Sequence, residues 1–438
     1  MESIWSASVE LPHFKSMEGD IQTDVLIIGG GMAGILCAYF LQENRVPYVL
    51  VEGKTICSGI TKDTTAKITA QHGLIYHRLL KSAGYEKAKM YLDANQSAVQ
   101  QFVKLCHGMN CDLERKMAYV YSINDRKKLE KEADALCRLG VDTDISEKTK
   151  LPFYHVGAVG LAGQAQFHPL KFVAAIAKDL NIFEHSFVTE LKEHEAVTAN
   201  GKITFHKVIF ATHFPIDNKH GMYYLKMYQH RSYVIALENG PQIDGMYVDE
   251  AMCGMSFRNY KNYLLIGGGD HRTGKMGGNW EELRKFAGQF YHDREEQFCW
   301  ATQDCMTLDE VPYIGRYSKN CAEYYVATGF NKWGMTSSMV AANLLTDQIL
   351  NKKNPYAAVF DPSRSMLKPQ LLVNGCTAVG NMLRISEKRC PHLGCALKWN
   401  AVEHSWDCTC HGSRFDEDGK VLDNPANGSL KEVTGKQN

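Results

Sequence analysis

The stretch that decides the fold is Asp24-Val-Leu-Ile-Ile28-Gly29-Gly-Gly31-Met-Ala-Gly34, an apolar run followed directly by glycines. The apolar run predicts a buried strand, and residues 35–42 predict a helix. A G-x-G-x-x-G motif is weak alone, but between strand and helix its amides and the helix N-terminus can receive a pyrophosphate. We therefore predict a nucleotide-binding unit; a glycine turn in another α/β fold is the alternative.

A second strand completes this unit. Residues 47–52 form a short apolar run that ends in Glu52, eighteen residues after Gly34. At this distance a carboxylate can meet a ribose hydroxyl of a bound dinucleotide. The strand, helix and second strand together predict a βαβ unit that binds NAD or FAD, and the motif alone does not distinguish them.

Composition limits the possible classes of protein. The chain has 438 residues, 45% hydrophobic and 22% charged, with a net charge of zero. These values indicate a globular protein of two or three domains. Balanced charge argues against nucleic acid as a partner and against strong electrostatic membrane association. The N-terminus lacks the pattern of a signal peptide, and no apolar stretch reaches the ~18 residues of a spanning helix, so we predict a cytoplasmic protein.

A second informative stretch lies near the C-terminus, where CPHLGC (390–395) is followed by CTCHGS (408–413). A Cys-x-His pair and a Cys-x-x-His pair offer two thiolates and two imidazoles. Zinc can use such ligands, but zinc fingers usually place cysteines in one half and histidines in the other. The mixed halves suit a cluster with one iron held by both thiolates and the other by both imidazoles.

This segment resembles a Rieske [2Fe–2S] domain of the type with two additional cysteines. The resemblance implies a disulfide between Cys395 and Cys410, and whether it forms in a reducing compartment is open. Only about nineteen residues separate Leu371 from Cys390, so one or two opening strands are missing and a shortened sheet could pack directly on the rest of the chain. The resemblance implies four cluster ligands: Cys390, His392, Cys408 and His411.

Segments between the two stretches resemble glycine/D-amino-acid-oxidase-type (DAO) flavoproteins, in the order of that family. Residues 57–67 resemble its second phosphate-side segment, and residues 181–188 and 208–212 resemble the strands near the adenine. Residues 308–315 and 329–336 resemble the closing segments around the isoalloxazine. The resemblance therefore implies FAD as the dinucleotide.

The same resemblance implies the architecture. An α/β, Rossmann-like FAD-binding domain of the DAO/glutathione-reductase type is interleaved with an α+β substrate domain over residues 1–355. Residues 356–369 predict a linker, and a small, shortened all-β Rieske domain occupies residues 370–438. The implied FAD contacts are Gly29, Gly31, Met32, Ala33, Gly34, Glu52, Ser58, Thr61, Thr65, Ala66, Val188, Ala211, Gly315, Gly329, Gly334, Met335 and Thr336.

A flavin and a Rieske cluster on one chain predict a converter between two-electron and one-electron chemistry. We expect a dehydrogenase of an amine, N-methyl amine or amino-acid-like substrate that passes electrons through the cluster to an external carrier. A reductase with the opposite flow and a non-catalytic redox relay or sensor are the alternatives. The oligomeric state stays open.

Several positions differ from those of relatives. Sarcosine-oxidase-like relatives place a lysine over the flavin for reaction with oxygen, and this sequence has Thr336 there, which favours a dehydrogenase. Asp63 stands about where some relatives have a linking histidine, and Cys305 is offset from the linking cysteine of others, so we expect non-covalent FAD. Ser413 retains one hydrogen-bond donor to the cluster and Phe415 lacks another, which predicts an intermediate potential.

Candidate substrate residues follow from chemistry. Arginine binds a carboxylate at two points, and tyrosine or histidine can orient an amine. Because amine oxidation in this fold proceeds by hydride transfer from a neutral amine, we expect a positioning shell more than a dedicated base. Structural roles between strands are the alternative for each candidate. The candidates are His230, Arg231, Tyr233, His271, Arg272 and Lys332.

Overall fold

A computed structural model describes residues 2–217, 220–386 and 388–430. Over these ranges, none of the helices combines the length and apolar character that a membrane span requires. The helices are α1 Met32–Glu43, α2 Ile75–Ala83, α3 Tyr85–Cys106, α4 Arg126–Arg138, α5 Pro169–Ile176, α6 Tyr223–Lys226, α7 Trp280–Phe290, α8 Gly334–Ile349, α9 Ala357–Phe360 and α10 Pro369–Met382.

The strands form three sheets. They are β1 Ile21–Ile28, β2 Tyr48–Val51, β3 Lys67–Ile68, β4 Glu114–Ser122, β5 Ile145–Ser146, β6 Gly157–Gln166, β7 Ile182–Phe183, β8 Glu190–Leu191, β9 Glu195–Thr198, β10 Gly201–Phe210, β11 Met227–Glu238, β12 Gly245–Asp249, β13 Ser256–Tyr260, β14 Tyr263–Arg272, β15 Glu296–Thr307, β16 Tyr313–Ser318, β17 Cys321–Thr328, β18 Leu397–Asn400, β19 Ser405–Cys408, β20 Arg414–Phe415 and β21 Val421–Asp423.

The first sheet is the predicted nucleotide-binding core. Its order is β16-β17-β10-β1-β2-β7, and β1 pairs in parallel with both β2 and β10. The apolar run of β1 is buried on both faces, as parallel strands covered by helices are. Helices α1 and α8 pack together over this sheet. The predicted βαβ unit is therefore confirmed, with α1 three residues longer at its N-terminus than the predicted helix.

The second sheet carries most of the predicted substrate residues. Its order is β15-β11-β14-β13-β12-β4-β6-β3, with β11 between β14 and β15. Residues 223–226 form the short helix α6, and strand β11 begins at Met227. Strand β14 extends to Arg272, whose guanidinium reaches the Thr409 carbonyl in the C-terminal part of the chain.

Residues 356–369, predicted as a linker, are packed onto the flavoprotein. The Val359 and Phe360 side chains of α9 are buried. The Arg364 guanidinium donates to both carboxylate oxygens of Asp309, at 2.9 and 2.8 Å. This connection is therefore held in place, although the domain boundaries at 355 and 369 stay a prediction.

The C-terminal sheet has the order β18-β19-β20-β21 and is antiparallel, as expected for a small Rieske unit. Helix α10 precedes this sheet. It occupies the part of the chain where a Rieske domain of the usual length would have its opening strands. The expected packing on the flavoprotein is present, and residues 431–438 of the predicted domain lie outside the described residues. The loop of this sheet at residues 409–412 accepts hydrogen bonds from side chains of β11, β14 and β15.

Candidate flavin and cluster sites

The glycine turn after β1 has space only for glycine at two positions. Gly29 has a φ of +109°, and a Cβ there would lie 2.5 Å from the Ala211 carbonyl oxygen. A Cβ on Gly34 would lie 1.9 Å from the Gly29 oxygen. The Glu52 carboxylate accepts a hydrogen bond of 2.7 Å from the Gly30 amide. The turn is therefore a close-packed cradle next to an acid, as dinucleotide binding requires.

A cavity of about 1070 Å³ opens from this cradle and runs between the two large sheets. Its volume exceeds the usual range for drug-sized ligands, which suits an extended dinucleotide together with a substrate. It is lined by these predicted FAD contacts: Gly29, Gly31, Met32, Ala33, Glu52, Ser58, Thr61, Thr65, Val188, Ala211, Gly329, Gly334 and Met335.

Three other predicted contacts lie behind the cavity wall. Gly34 packs against Gly29 inside α1, and Ala66 is buried beside β3. Gly315 faces Pro362, because a Cβ there would lie 3.2 Å from the Pro362 ring. These three residues do not line the cavity, and their contact with the flavin stays a prediction.

Thr336 is buried and also does not line the cavity. Its hydroxyl donates to the Thr69 carbonyl at 3.0 Å and lies 3.0 Å from His72 Nε2. Lys67 and Lys332, however, do line the cavity. Burial, followed by the nearby Arg258, lowers the pKa of Lys67 to about 7. Lysine side chains therefore line the cavity although position 336 is a threonine. The threonine at this position no longer argues against oxygen as the electron acceptor.

The four predicted cluster ligands converge on one buried place. The Cys390 and Cys408 thiols are buried, and the rings of His392 and His411 lie 4.9 Å apart. Nδ1 of His411 is buried and has no hydrogen-bond partner among the residues that the structure describes. Two buried thiols and two adjacent imidazoles, one of them with a buried nitrogen that has no partner among the described residues, fit the donor set that a Rieske cluster requires.

The residues around these ligands connect and pack the two cluster loops. Cys395 and Cys410 form the disulfide that the resemblance implied. Ser413 Oγ accepts a hydrogen bond of 3.0 Å from the Ala426 amide, and the Phe415 ring is buried in the apolar cluster around the cysteines. Phe415 therefore packs without donating, while the intermediate potential stays a prediction.

Two predicted substrate residues instead contact the Rieske domain. Arg231 Nε donates to Glu403 at 2.9 Å, and a second ion-pair contact joins the same two side chains. Tyr233 donates to Glu403 at 2.9 Å, and Arg414 donates to it at 3.0 Å. Arg231 and Tyr233 also line the cavity, so their contact with a substrate stays a prediction, although the Arg231 guanidinium is already paired with this buried acid.

Arg272 also joins the two domains. Its guanidinium donates to the carbonyls of Thr409 and Cys410, at 2.9 and 3.0 Å, both in the second cluster loop. Gln229 donates to the His411 carbonyl at 2.8 Å. These bonds hold the cluster loop on β11 and β14, so the expectation that Arg272 binds substrate is corrected.

The remaining candidates differ in position. His230 is buried outside the cavity, and burial lowers its pKa to about 3. His271 Nδ1 donates to the Gly269 carbonyl at 3.1 Å, and His271 does not line the cavity. Lys332 lines the cavity and pairs with Asp270 at 2.6 Å. Of the six candidates, Arg231, Tyr233 and Lys332 line the cavity, and both cations among them are paired with an acid, Arg231 with Glu403 and Lys332 with Asp270.

Carboxylates on the cavity wall were missed by sequence reasoning. Asp63, Asp270, Asp304 and Asp423 all line the cavity, although they come from distant parts of the chain. Burial raises the pKa of Asp63 to about 7 and that of Asp304 to about 6, and Asp270 contributes to the second shift. No local motif links these acids, so only the folded chain brings them together.

One loop after β10 touches both sites. Ala211, Thr212 and His213 line the cavity. The next ring, Phe214, lies 6.2 Å from the ring of His392 and 6.3 Å from that of His411. The flavin cavity and the cluster ligands are therefore separated by a single loop.

A dinucleotide cavity, two buried thiols and two adjacent imidazoles together define a flavoprotein joined to an iron–sulfur domain. Residues 24–348 match the DAO family of FAD dependent oxidoreductases, and residues 362–434 match the Rieske [2Fe-2S] domain. The chain belongs to this oxidoreductase family and carries a C-terminal Rieske domain. Its cofactors are FAD and a [2Fe–2S] cluster, so both expectations from the resemblance are confirmed.

Similar proteins agree with this assignment. The Bacillus subtilis (strain 168) protein YhfW, named as a Rieske 2Fe-2S iron-sulfur protein, is 33% identical over 99% of this chain and 97% of its own. The cytochrome b6-f complex iron-sulfur subunit 2 of Trichormus variabilis is 52% identical over 67 residues, which are 15% of this chain and 30% of that protein.

Two solved structures resemble the flavoprotein part. Glycine oxidase from Geobacillus kaustophilus has a TM-score of 0.67 and 18% identity, covering 79% of this chain and 99% of its own. L-proline dehydrogenase from P. horikoshii has a TM-score of 0.66 and 16% identity, covering 79% and 98%. At these identities the likeness shows the fold alone.

The glycine cradle can be tested directly. Gly29→Ala is expected to yield protein with little bound FAD, because the new Cβ meets a backbone oxygen at 2.5 Å and the residue has a positive φ. Overpacking and backbone strain together cost about 2–4 kcal/mol. The measurement is the ratio of flavin to protein absorbance after purification. Gly288→Ala, in open space on α7, is the control, and a normal ratio in Gly29→Ala would contradict the assignment.

Proposed function

We propose that this protein is a dehydrogenase of an amine, N-methyl amine or amino-acid-like substrate and that it delivers electrons through its cluster to an external carrier. One observation carries the proposal. Residues of the Rieske domain, including Arg414, Asp423 and Asn424, line the same cavity as the glycine cradle. A cluster domain that forms part of the flavin cavity is an electron path within one chain.

The chain's own residues have three tasks in this proposal. When bound, FAD supplies two-electron oxidation and the cluster supplies one-electron transfer. The glycine cradle and the α1 N-terminus would hold the pyrophosphate of the FAD. Asn424 Nδ2 donates to the Phe214 carbonyl at 3.0 Å and fixes the loop between the sites. The Phe214 ring is fully buried and lies next to the rings of both cluster histidines.

Two acids of the cavity support an amine substrate. Asp63 and Asp304 line the cavity, and within the described residues neither forms an ion pair, whereas Asp270 pairs with Lys332 and Asp423 with Arg414. A carboxylate without a cationic partner can accept a charge-assisted hydrogen bond from a protonated amine. The names of two similar folds, a glycine oxidase and an L-proline dehydrogenase, point to the same substrate class.

Asp304 is the residue we assign to proton removal. An ammonium must lose a proton before hydride transfer, and an Asp304 carboxylate oxygen can accept it. Burial raises its pKa to about 6, so the group is mostly ionised at pH 7 but remains a useful base. This assignment replaces the expectation of a shell without a dedicated base.

Asp304→Asn is expected to lower kcat/KM for an amine by about 10²–10⁴, the range for loss of a general base. In the natural protein the rate rises as pH passes about 6, because only the ionised carboxylate accepts a proton. The variant should lose this rise. Asp63→Asn is the matched control, and if it alone removes the rise, the base is Asp63.

The proposal as a whole is tested by anaerobic titration of the holoprotein with a panel of methylated and primary amines. We expect flavin absorbance to bleach first and cluster absorbance to change next. Two results together would overturn the proposal and favour the reductase. The first is that no amine changes the flavin absorbance. The second is that a reduced protein donor reduces the flavin and a substrate then reoxidises it. A cytoplasmic location stays a prediction.

A further inference from the structure

Helix α10 presents an apolar face to solvent. Leu372 and Val379 recur at helical spacing and are 74% and 57% exposed. Leu383 and Ile385 continue the face beyond the end of the helix and are 80% and 98% exposed. Within α10, Asn374 is the buried side chain. Contiguous exposed apolar side chains of this kind mark an interaction site.

This face continues into the first cluster loop. The Arg389 guanidinium donates to the Met382 carbonyl at 3.2 Å and to the Gly394 carbonyl at 2.8 Å. The Ala396 amide donates to the Asn381 carbonyl at 3.1 Å. Leu393, which directly follows the ligand His392, is 37% exposed. A protein bound on α10 would therefore reach the edge of the cluster.

The opposite side of the cluster is covered by the flavoprotein. His411 is 4% exposed, and its ring lies 6.3 Å from Phe214 and 6.4 Å from Tyr224. A partner cannot approach the cluster through this histidine. Among the residues that the structure describes, the α10 side with Leu393 is the approach that remains open.

The same surface is basic, although the whole chain has a net charge of zero. Residues 368–398 contain one acid, Glu387, and five bases. Arg384 and Lys275 both lower the pKa of Lys398, after burial, so these three cations lie near one another. Within the described ranges none of the three is in an ion pair with an acid. The five bases are Lys368, Arg384, Lys388, Arg389 and Lys398.

We propose that the surface made by Leu372, Val379, Leu383, Ile385 and Leu393, with its basic rim, docks an acidic one-electron carrier protein. The occupant follows from charge: a basic rim around an apolar centre steers and holds an acidic partner. A small interface of this type suits a transient redox encounter. This surface will be called the carrier face, and the inference rests on the proposed function.

Electrons balance at this face. Oxidation of one amine to its imine releases two electrons and two protons, and the protons pass to water. Each encounter adds one electron to one carrier molecule. Two carrier molecules are therefore reduced for each amine oxidised.

The test uses oxidised holoprotein, so that binding is measured without turnover. The probes are an acidic plant-type ferredoxin and an acidic flavodoxin, with a basic cytochrome c as the probe of opposite charge. At low ionic strength we expect the acidic probes to bind and the basic probe not to. Binding should weaken steeply with salt, because the interaction is between exposed charges.

Two variants probe the carrier face and two serve as matched controls. Arg384→Glu with Lys398→Glu, and Leu383→Ser with Ile385→Ser, should each weaken binding of the acidic probes tenfold or more. Lys352→Glu with Lys353→Glu, and Tyr154→Ser, change exposed side chains elsewhere and should leave binding unchanged. Flavin absorbance and the cluster spectrum check that each variant is intact.

Each other outcome is decisive. Unchanged affinity in both face variants, or no binding of either acidic probe, overturns the proposal. If Leu383→Ser with Ile385→Ser converts a dimer to a monomer in sedimentation, the face belongs to a second copy of this chain. If the same variants abolish binding to vesicles with anionic lipid, the occupant is a membrane. Probe binding without any response to amines would instead overturn the proposed function and leave the carrier face standing.

Discussion

Cys408→Ser is expected to give a flavoprotein that is still reduced by its substrate but has lost its electron exit. Cys408 ends β19, and its thiol is buried. We expect it to be one of the two thiolates that hold one iron of the cluster. A serine hydroxyl does not replace a thiolate in a Rieske site. Removing a group that only hydrogen-bonds to a metal ligand lowers metal affinity or activity by about 10–100-fold. Removing a ligand itself should cost more, so we expect the rate of carrier reduction to fall by at least about 100-fold.

The measurements are iron content, the low-temperature electron paramagnetic resonance signal of the reduced cluster, and the rate of carrier reduction. Flavin bleaching by an amine should persist, because Cys408 does not line the flavin cavity. Cys137→Ser, at an exposed free cysteine, is the control. Retention of iron and signal in Cys408→Ser would contradict the ligand set, and zinc without iron in the natural protein would contradict the cluster itself.

Glu403→Gln is expected to destabilise the contact between the two domains by about 3–5 kcal/mol, the cost of leaving a buried charge without its partner. Glu403 accepts hydrogen bonds from Arg231, Tyr233 and Arg414. Its substitution leaves two buried guanidinium groups facing a neutral amide. The measurement is the denaturant midpoint of the transition followed at cluster absorbance.

This contact also predicts a dependence on pH. Burial alone would raise the pKa of Glu403, but Arg231, followed by Arg414, outweighs burial and lowers it to about 2. The unfolded value is about 4.3, so the contribution is complete above that pH and is lost as pH falls towards 2. The natural protein should therefore lose stability in this window, and Glu403→Gln should lose less.

Glu417→Gln is the matched control in the same domain. Glu417 is exposed and pairs with the exposed His404, and such pairs contribute less than about 1 kcal/mol. We expect its midpoint to match that of the natural protein. If Glu403→Gln behaved like this control, the buried ion pairs would not hold the domains together.

The cofactor sites were predictable because their signals are local. The glycine cradle lies between two adjacent elements, and the cluster ligands lie on two loops joined by a short hairpin. Ligand chemistry limits the residue types at such spacings. The prediction was weaker for Thr336 and Gly315, because a segment's likeness to a family does not determine which way each side chain points.

The substrate residues were not predictable in the same way. Arg231 and Arg272 were chosen because guanidinium groups bind carboxylates, and they do bind oxygen acceptors, but these belong to the Rieske domain. Arg231 and Glu403 are 172 residues apart, with no pattern that pairs them. Asp63 and Asp304 both line the cavity, and no sequence pattern pairs them either.

By itself, the sequence determined the class of this protein: a nucleotide-binding βαβ unit, and thiol and imidazole ligands at Rieske spacing. Both depend on neighbours in the chain, whose distances are set by helix, strand and turn geometry. The tertiary structure alone decided that the Rieske domain lines the flavin cavity and that α10 leaves an open face beside the cluster. Those features depend on packing between distant segments, where burial and charge pairing, not spacing, determine which side chains meet.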